Sequence, residues 1–173
     1  MNQILMVRTS RPPANIFPMS GMHPKGTRQT RVGRFSETNR IYHVNTATNE
    51  REPIFGSLGL ARCVVRAMMH EQQAGGSTTL AFVVMPDHLH WLLQVNSQRT
   101  LSASVCVVKS GAARQINALR GSLRRVWQRG FYDRAVRKED DLVGMARYIV
   151  ANPLRAGLVR SVRDYSHWDA IWL

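Results

Sequence analysis

The run from residue 82 to residue 95 constrains the fold of this chain more than any other segment. It consists of an apolar strand, a tight turn at Met85-Pro86-Asp87 and a second strand that begins with His88-Leu89-His90. Side chains at positions i and i+2 of a strand point to the same face, so the pattern predicts two imidazoles side by side on a rigid hairpin. They would offer two nitrogen ligands to one metal ion, although isolated strand histidines are more often hydrogen-bonded surface or core residues.

A second candidate group lies near the C-terminus, where residues 138–152 are predicted to form a helix. Acidic residues at 139–141 would fall in its first turn, where they suit the helix dipole. The stripe expected to face the core consists of Leu142, Ala146 and Ile149. Tyr148 and Asn152 are four residues apart on another stripe, so a phenol and an amide share one side of the helix. Asn152 precedes a proline and is expected at the helix end; Tyr148, taken alone, is more often a packing residue.

Hydrophobic periodicity predicts the order β-α-β-β-α-β before that helix. The predicted strands are 40–46, 78–84, 88–95 and 131–136, and the predicted helices are 57–73 and 101–119. This order is the ferredoxin-like plan, an α+β fold with an antiparallel sheet and helices on one face. In that plan the strand with the two histidines lies centrally, and the added C-terminal helix can bring Tyr148 across to them.

Charge indicates the kind of partner. The 173 residues carry 24 basic and 11 acidic side chains, a net charge of +13, which implies a polyanion such as nucleic acid. No apolar stretch approaches the roughly 18 residues that a membrane span needs, and no signal-peptide pattern opens the chain, so no membrane partner and a cytoplasmic location are expected. Residues 1–32 form a basic, proline-containing arm that is predicted to be poorly ordered, and residues 33–173 suit one domain.

Four strings in the chain resemble the REP-associated tyrosine transposases, bacterial Y1 transposases of the HUH nuclease superfamily. In order along the chain they are RIYHVN at 40–45, VMPDHLHW at 84–91, WQRGFYD at 127–133 and ARYIVANPLRAGLV at 146–159. They extend over most of the chain, from about residue 33 to residue 159. The resemblance implies the same ferredoxin-like fold.

The resemblance also implies a chemistry for the candidate residues. Tyr148 would be the nucleophile that cleaves single-stranded DNA through a 5′-phosphotyrosine intermediate, and His88, His90 and Asn152 would hold Mg²⁺ or Mn²⁺. Such an ion neutralises the phosphate that would otherwise repel the nucleophile. A free phenol ionises near pH 10, so the metal or a neighbouring positive charge has to favour the phenolate. Arg147 and Arg155 are close in sequence and are the candidates for that charge, although each is more often part of a solvated basic face.

The implied substrate is a single-stranded DNA hairpin of the REP-palindrome type, with a short tetranucleotide beside its foot. By resemblance, Gly33, Arg34 and Arg40 lie where the family binds the tetranucleotide. Basic residues on and after the second helix form a plausible phosphate track. The track consists of Lys109, Arg114, Arg120, Arg124 and Arg125, and Arg155 is a further candidate for DNA contact. The resemblance favours a monomer, since dimeric relatives tend to swap the tyrosine helix, and a nucleoid-associated location.

Two other functions stay open at the level of sequence. The first is a catalytically silent nucleic-acid-binding protein of the same fold, against which the intact His88, His90, Tyr148 and Asn152 count. The second is a metal-dependent phosphoesterase. Such sites usually recruit carboxylates, and the only acid beside the histidines, Asp87, is expected on the opposite strand face.

Overall fold

A five-stranded antiparallel sheet organises the part of the chain that the structure, a computed structural model, describes: residues 37–137 and 140–173. Its strands are β1 (Ile41–Ala47), β2 (Ser77–Met85), β3 (His88–Val95), β4 (Tyr132–Ala135) and β5 (Trp168–Ala170). Their spatial order is β4-β1-β3-β2-β5, so the strand that carries the two histidines lies at the centre, as predicted. The predicted arm at 1–32 and the predicted DNA contacts Gly33 and Arg34 lie outside the described residues.

Helices cover both faces of the sheet. On one face, α1 (Leu58–Gln73) and α2 (Leu101–Arg120) pack against each other and bury the larger core. On the other face lie α3 (Leu142–Val150), which carries Tyr148, and the one-turn helix α4 (Asn152–Arg155). This arrangement confirms the predicted α+β sheet with two helices on one face and an added tyrosine-bearing helix.

The alternation of β3 assigns its side chains to the two cores. Leu89, Trp91 and Leu93 enter the core under α1 and α2, whereas Leu92 enters the core under α3. His88 and His90 share the parity of Leu92 and therefore project on the α3 side. Strand pairing places Asn45 of β1 and Val83 of β2 on either side of His90.

The tyrosine helix begins later than predicted. Helix α3 starts at Leu142, and the Asp141 carboxylate caps it by accepting a hydrogen bond from the Gly144 N–H at 2.9 Å. An aspartate satisfies a free amide better as the capping residue than inside the first turn, which is why Asp140 and Asp141 precede the helix. The predicted helix end at Asn152 is also wrong. After a break at Ala151 the chain continues into α4, whose first turn tolerates a proline that has no N–H to donate.

Strand β5 was not predicted from the sequence. Its three residues are too few to show an alternation, and they pair with β2 at the edge of the sheet. Two long side chains anchor the segment around it: the Tyr165 hydroxyl donates to the Val84 carbonyl oxygen at 2.7 Å, and the Trp168 indole donates to the Val162 carbonyl oxygen at 3.0 Å. None of the helices in residues 37–137 and 140–173 has the length and apolarity to cross a membrane.

Replacing either of two neighbouring leucines tests whether both faces of β3 are true core. Leu92 and Leu93 have no exposed surface and point to opposite faces. We expect Leu92→Ala and Leu93→Ala each to lower the free energy of unfolding by about 2–5 kcal/mol, because each leaves a cavity in a packed core. Urea titration of both variants measures this. A nearly neutral Leu92→Ala would mean that α3 is not packed on the sheet as described.

Candidate active site

The two histidines of β3 bring their ring nitrogens together. The Nε2 atoms of His88 and His90 are 3.1 Å apart, and the rings meet nearly at right angles, with an interplanar angle of 79°. His90 is buried and His88 is partly exposed, so the pair lies at the margin of the core beneath α3. The predicted convergence of the two imidazoles is what the strand geometry produces.

This spacing suits two ligands of one metal ion. Neighbouring ligands at about 2.1 Å from the ion in an octahedral shell are about 3.0 Å from each other. Across the described ranges 37–137 and 140–173, no three His, Cys, Asp or Glu side chains cluster as a metal-binding group. Two imidazoles alone would leave the other positions of such an ion open to further ligands, and Asn152 as the third ligand stays a prediction.

Asp87 contacts the His88 ring, contrary to the expectation that its side chain points to the opposite face of the strand. Its Oδ1 is 2.5 Å from the His88 Nδ1, and its Oδ2 accepts a hydrogen bond from the Arg51 guanidinium at 3.1 Å. Asp87 belongs to the hairpin turn and not to the strand, so strand alternation does not govern its direction. Burial alone would raise the pKa of Asp87, but the contacts with His88 and Arg51 outweigh it and hold that pKa below its usual value.

A third histidine holds the second ring. His43 of β1 places its Nε2 3.2 Å from the His90 Nδ1, and the two rings are stacked with 5.3 Å between their centroids. Burial, aided by the charge of Arg134, lowers the pKa of His43 to about 4, and burial also lowers the pKa of His90 well below its usual value. Both rings are therefore neutral near pH 7. The sequence analysis did not identify His43. The alternation of β1 indicates which sheet face His43 occupies, but its contact with His90 depends on the register between β1 and β3, which was unknown.

Helix α3 carries Tyr148 on the same face of the sheet as the histidines. The ring is half-buried against the core formed by α3 with β2 and β3. The Arg155 guanidinium carbon lies 4.3 Å from the centroid of the Tyr148 ring. A cation at this distance over a phenol ring is attracted by its π electrons and restrains the ring.

Asn152 is tied to the same turn as Tyr148. Its side-chain nitrogen donates to the carbonyl oxygens of Tyr148 and Ile149 at 3.1 and 2.9 Å. The residue is buried, and it bridges the break between α3 and α4. Because the backbone takes up the amide nitrogen, the side-chain oxygen is the atom left to act as the predicted ligand.

Lys109, one of the predicted DNA contacts, is engaged within the fold. Its ammonium group donates to the carbonyl oxygens of Gln128 and Gly130 at 2.9 and 2.6 Å, and it lies 5.8 Å from the centroid of a Trp127 ring. The Trp127 indole in turn donates to the Lys109 carbonyl oxygen at 3.0 Å. Burial lowers the pKa of Lys109 to about 8. Lys109 thus fastens α2 to the segment at 127–130, and its contact with phosphate stays a prediction.

The other predicted DNA contacts have varied surroundings. Arg40 forms an ion pair with Glu37 at 2.5 Å, and Arg120 forms one with Glu52 at 2.9 Å. Arg114 and Arg124 are exposed. The part of the predicted track that lies on α2 is on the face of the sheet opposite to the histidines, whereas Arg155 lies beside Tyr148. The structure therefore divides the predicted DNA-binding residues between two faces.

Comparisons with known proteins agree with the sequence resemblance. A family model described as "Transposase IS200 like" matches residues 36–152. A Haemophilus influenzae protein that carries the provisional name REP-associated tyrosine transposase is 29% identical in an alignment 99 residues long, which covers 51% of this chain and 56% of that protein. A solved structure described as a REP-associated tyrosine transposase bound to a REP hairpin superposes with a TM-score of 0.65 at 20% identity, covering 78% of this chain and 79% of that one. This last likeness shows a shared fold.

The buried histidines make the stability of the fold depend on pH. In the unfolded chain His43 takes up a proton near pH 6.5, and in the folded chain only near pH 4, so stability is present above pH 6.5 and is lost as the pH falls. We expect acidification from pH 7 to pH 5 to cost on the order of 2 kcal/mol through His43. Urea unfolding at both values measures it. The loss should shrink in His43→Leu, and an equal loss in both proteins would contradict the assignment.

Proposed function

This chain belongs to the IS200-like transposase family, and on that premise we propose that it cleaves and rejoins single-stranded DNA through a covalent bond to Tyr148. The substrate would be a hairpin of the REP-palindrome type, and the reaction would need Mg²⁺ or Mn²⁺. One observation carries the proposal: two imidazole nitrogens 3.1 Å apart on a central strand, on the sheet face against which the tyrosine helix packs. A metal site and a nucleophile on one face are what phosphodiester cleavage without a carboxylate cluster requires.

The proposed chemistry exchanges one phosphodiester for another. The Tyr148 oxygen bonds to the phosphorus as the bond from phosphorus to the 3′ oxygen breaks, so a 5′-phosphotyrosine and a free 3′-hydroxyl result. The phenol loses its proton and the departing 3′ oxygen gains one. Because the bond energy is conserved in the phosphotyrosine, attack by a 3′-hydroxyl reverses the step and joins strands without ATP.

The metal site would lie at His88, His90 and Asn152. An ion bound there neutralises the phosphate and orients it for attack. The residues around it prepare the ligands: Asp87 binds the outer nitrogen of His88, and Asn152 is anchored to the turn that carries Tyr148. Outer contacts of this kind fix the orientation of metal-binding imidazoles in other proteins.

The hairpin substrate is proposed from charge and from the relatives. The net charge of +13 suits a polyanion, and the superposed solved structure is described as bound to a REP hairpin. Arg114 and Arg124 are exposed and carry no acidic partner among the ion pairs of the described residues, so both are available to phosphates.

Adduct formation on hairpin oligonucleotides tests the proposal. The wild-type protein is mixed with single-stranded hairpins taken from the flanks of its own gene, with Mn²⁺ or Mg²⁺, and covalent protein–DNA adducts are resolved on denaturing gels. We expect a metal-dependent adduct that disappears in Tyr148→Phe, since the nucleophilic oxygen is removed. In His88→Ala the rate should fall about 100-fold or more, because the metal contributes several kcal/mol to the transition state.

The outcomes distinguish the candidate functions. Cleavage that persists in Tyr148→Phe would indicate a metal-dependent hydrolase that activates water. Tight hairpin binding with neither adduct nor cleavage in the wild-type protein would indicate a silent DNA-binding protein of the same fold. Either result would overturn the proposed reaction.

The arginine over the Tyr148 ring gives a further prediction. Its contact is of a kind that contributes about 0.5–2 kcal/mol, so Arg155→Ala should slow adduct formation by about 2- to 30-fold if the ring must be held for attack. Rates are compared at saturating DNA, so that weaker DNA binding does not contribute. Arg147→Ala removes an exposed charge from α3, the helix that carries Tyr148, and serves as the control. Equal slowing in both variants would mean that the loss of positive charge near Tyr148, and not the loss of the contact with its ring, slows the step.

A further inference from the structure

We propose that His43 is a positioning residue that accepts the hydrogen bond of the His90 Nδ1–H when a metal is bound, and so directs the lone pair of the His90 Nε2 toward the ion. The inference rests on the proposed function, because it concerns the same metal site. It assigns a role to a buried histidine of β1 that is distant in sequence from both predicted ligands.

The two ring nitrogens of a neutral imidazole have different roles. One ring nitrogen carries a proton and the other carries the lone pair that binds a metal. If His90 binds through Nε2, which faces His88 at 3.1 Å, then its Nδ1 must carry the proton and needs an acceptor. The Nε2 of His43 lies 3.2 Å from that Nδ1. Asp87 stands in the same relation to His88, with its carboxylate 2.5 Å from the His88 Nδ1.

The neighbouring amide is a poorer acceptor than His43. Asn45 is paired with His90 across the sheet, but its side-chain nitrogen, a donor, is the atom that approaches the His90 Nδ1, at 3.5 Å. His43 is nearer, is buried, and stacks on the His90 ring with an interplanar angle of 19°. Its position on a fully paired strand between β3 and β4 leaves it little freedom to move away.

The hydrogen bonds of the metal-free protein must run the other way. The Asp87 carboxylate accepts a hydrogen bond from the His88 Nδ1–H, which leaves the His88 Nε2 as an acceptor facing the His90 Nε2. The His90 proton therefore lies on Nε2, and the His90 Nδ1 accepts from the Nε2–H of His43. Metal binding requires the reverse, with the proton of His90 on Nδ1 and that of His43 on its own Nδ1. The hydrogen bond between the two rings changes direction while the number of protons stays the same.

Nitrogen NMR on uniformly ¹⁵N-labelled protein tests this reversal directly. Two-bond ¹⁵N–¹H spectra report which ring nitrogen is protonated, and Zn²⁺ is the probe because it is diamagnetic and accepts imidazole ligands. We expect His43 to be protonated on Nε2 without metal and on Nδ1 with Zn²⁺. A His43 tautomer that Zn²⁺ leaves unchanged, while the resonances of His88 and His90 shift on binding, would overturn the proposal.

Two substitutions at the same position measure the effect on affinity. His43→Leu keeps an apolar side chain in the core but removes the acceptor, whereas His43→Gln supplies an amide oxygen that can accept from the His90 Nδ1–H. By calorimetry with Mn²⁺ we expect the leucine variant to bind about 10- to 100-fold more weakly and the glutamine variant to stay within a few-fold of wild type. His70→Ala, at an exposed site on α1, is the matched control.

The results distinguish the role of His43 from the existence of the proposed metal site. Equal Mn²⁺ affinity of His43→Leu and the wild-type protein would overturn the role of His43 and leave the metal site intact. Failure of the wild-type protein to bind Mn²⁺ would overturn the proposed metal site and the role of His43 with it. Thermal unfolding without metal shows whether each variant folds. If the leucine variant does not fold, the NMR test on the wild-type protein decides whether His43 has the proposed role.

Discussion

The central strand β3 has to be buried on both faces, and the rest of the structure depends on how its residues meet that constraint. Leu89, Trp91 and Leu93 supply apolar surface to the core under α1 and α2, and Leu92 supplies it to the core under α3. The same alternation forces two imidazoles onto the α3 side, where burial penalises their charged forms. The site therefore consists of core positions that are occupied by hydrogen-bonding rings. Burying apolar side chains at these positions would cost less free energy.

Burial of these rings is tolerated because a chain of contacts pairs both ring nitrogens of His88 and His90 and the Nε2 of His43. The chain runs from the Arg51 guanidinium through the Asp87 carboxylate to His88, then to His90 and His43. Its charge is confined to the Arg51–Asp87 pair, which is partly exposed, while the inner rings are neutral. A charged histidine inside the core would need a buried counter-ion, whereas neutral rings need only one another. Neutral imidazoles are also the form that binds metals.

The parts of the fold that periodicity could predict are those set by local pattern. Alternation in 82–95 was enough to place His88 and His90 on one face, and the apolar stripe of α3 was enough to place its core side. The contact of His43 with His90 could not be predicted, because the register of β1 against β3 joins residues 47 positions apart. Asp87 was placed wrongly because a turn residue does not follow strand alternation. Strand β5 was missed because three residues carry no period.

The end of the sheet at the hairpin turn connects its two faces. From α2, the Arg120 side chain reaches Glu52 at 2.9 Å, and the neighbouring Arg51 reaches Asp87, which binds His88. The turn itself is held to this segment by the Phe55 N–H, which donates to the Pro86 carbonyl oxygen at 2.9 Å.

A nucleic acid bound along α2 would lie on the face opposite to Tyr148, so it has to pass an edge or an end of the sheet to reach the histidines. The basic residues at this end, Arg51 and Arg120, are already engaged by carboxylates, so DNA that passes here would have to compete with two ion pairs. Exposed ion pairs are weak, so a phosphate can displace the carboxylates at little cost. Displacement at Arg51 would also affect the proposed metal site, because it frees the Asp87 carboxylate that contacts His88.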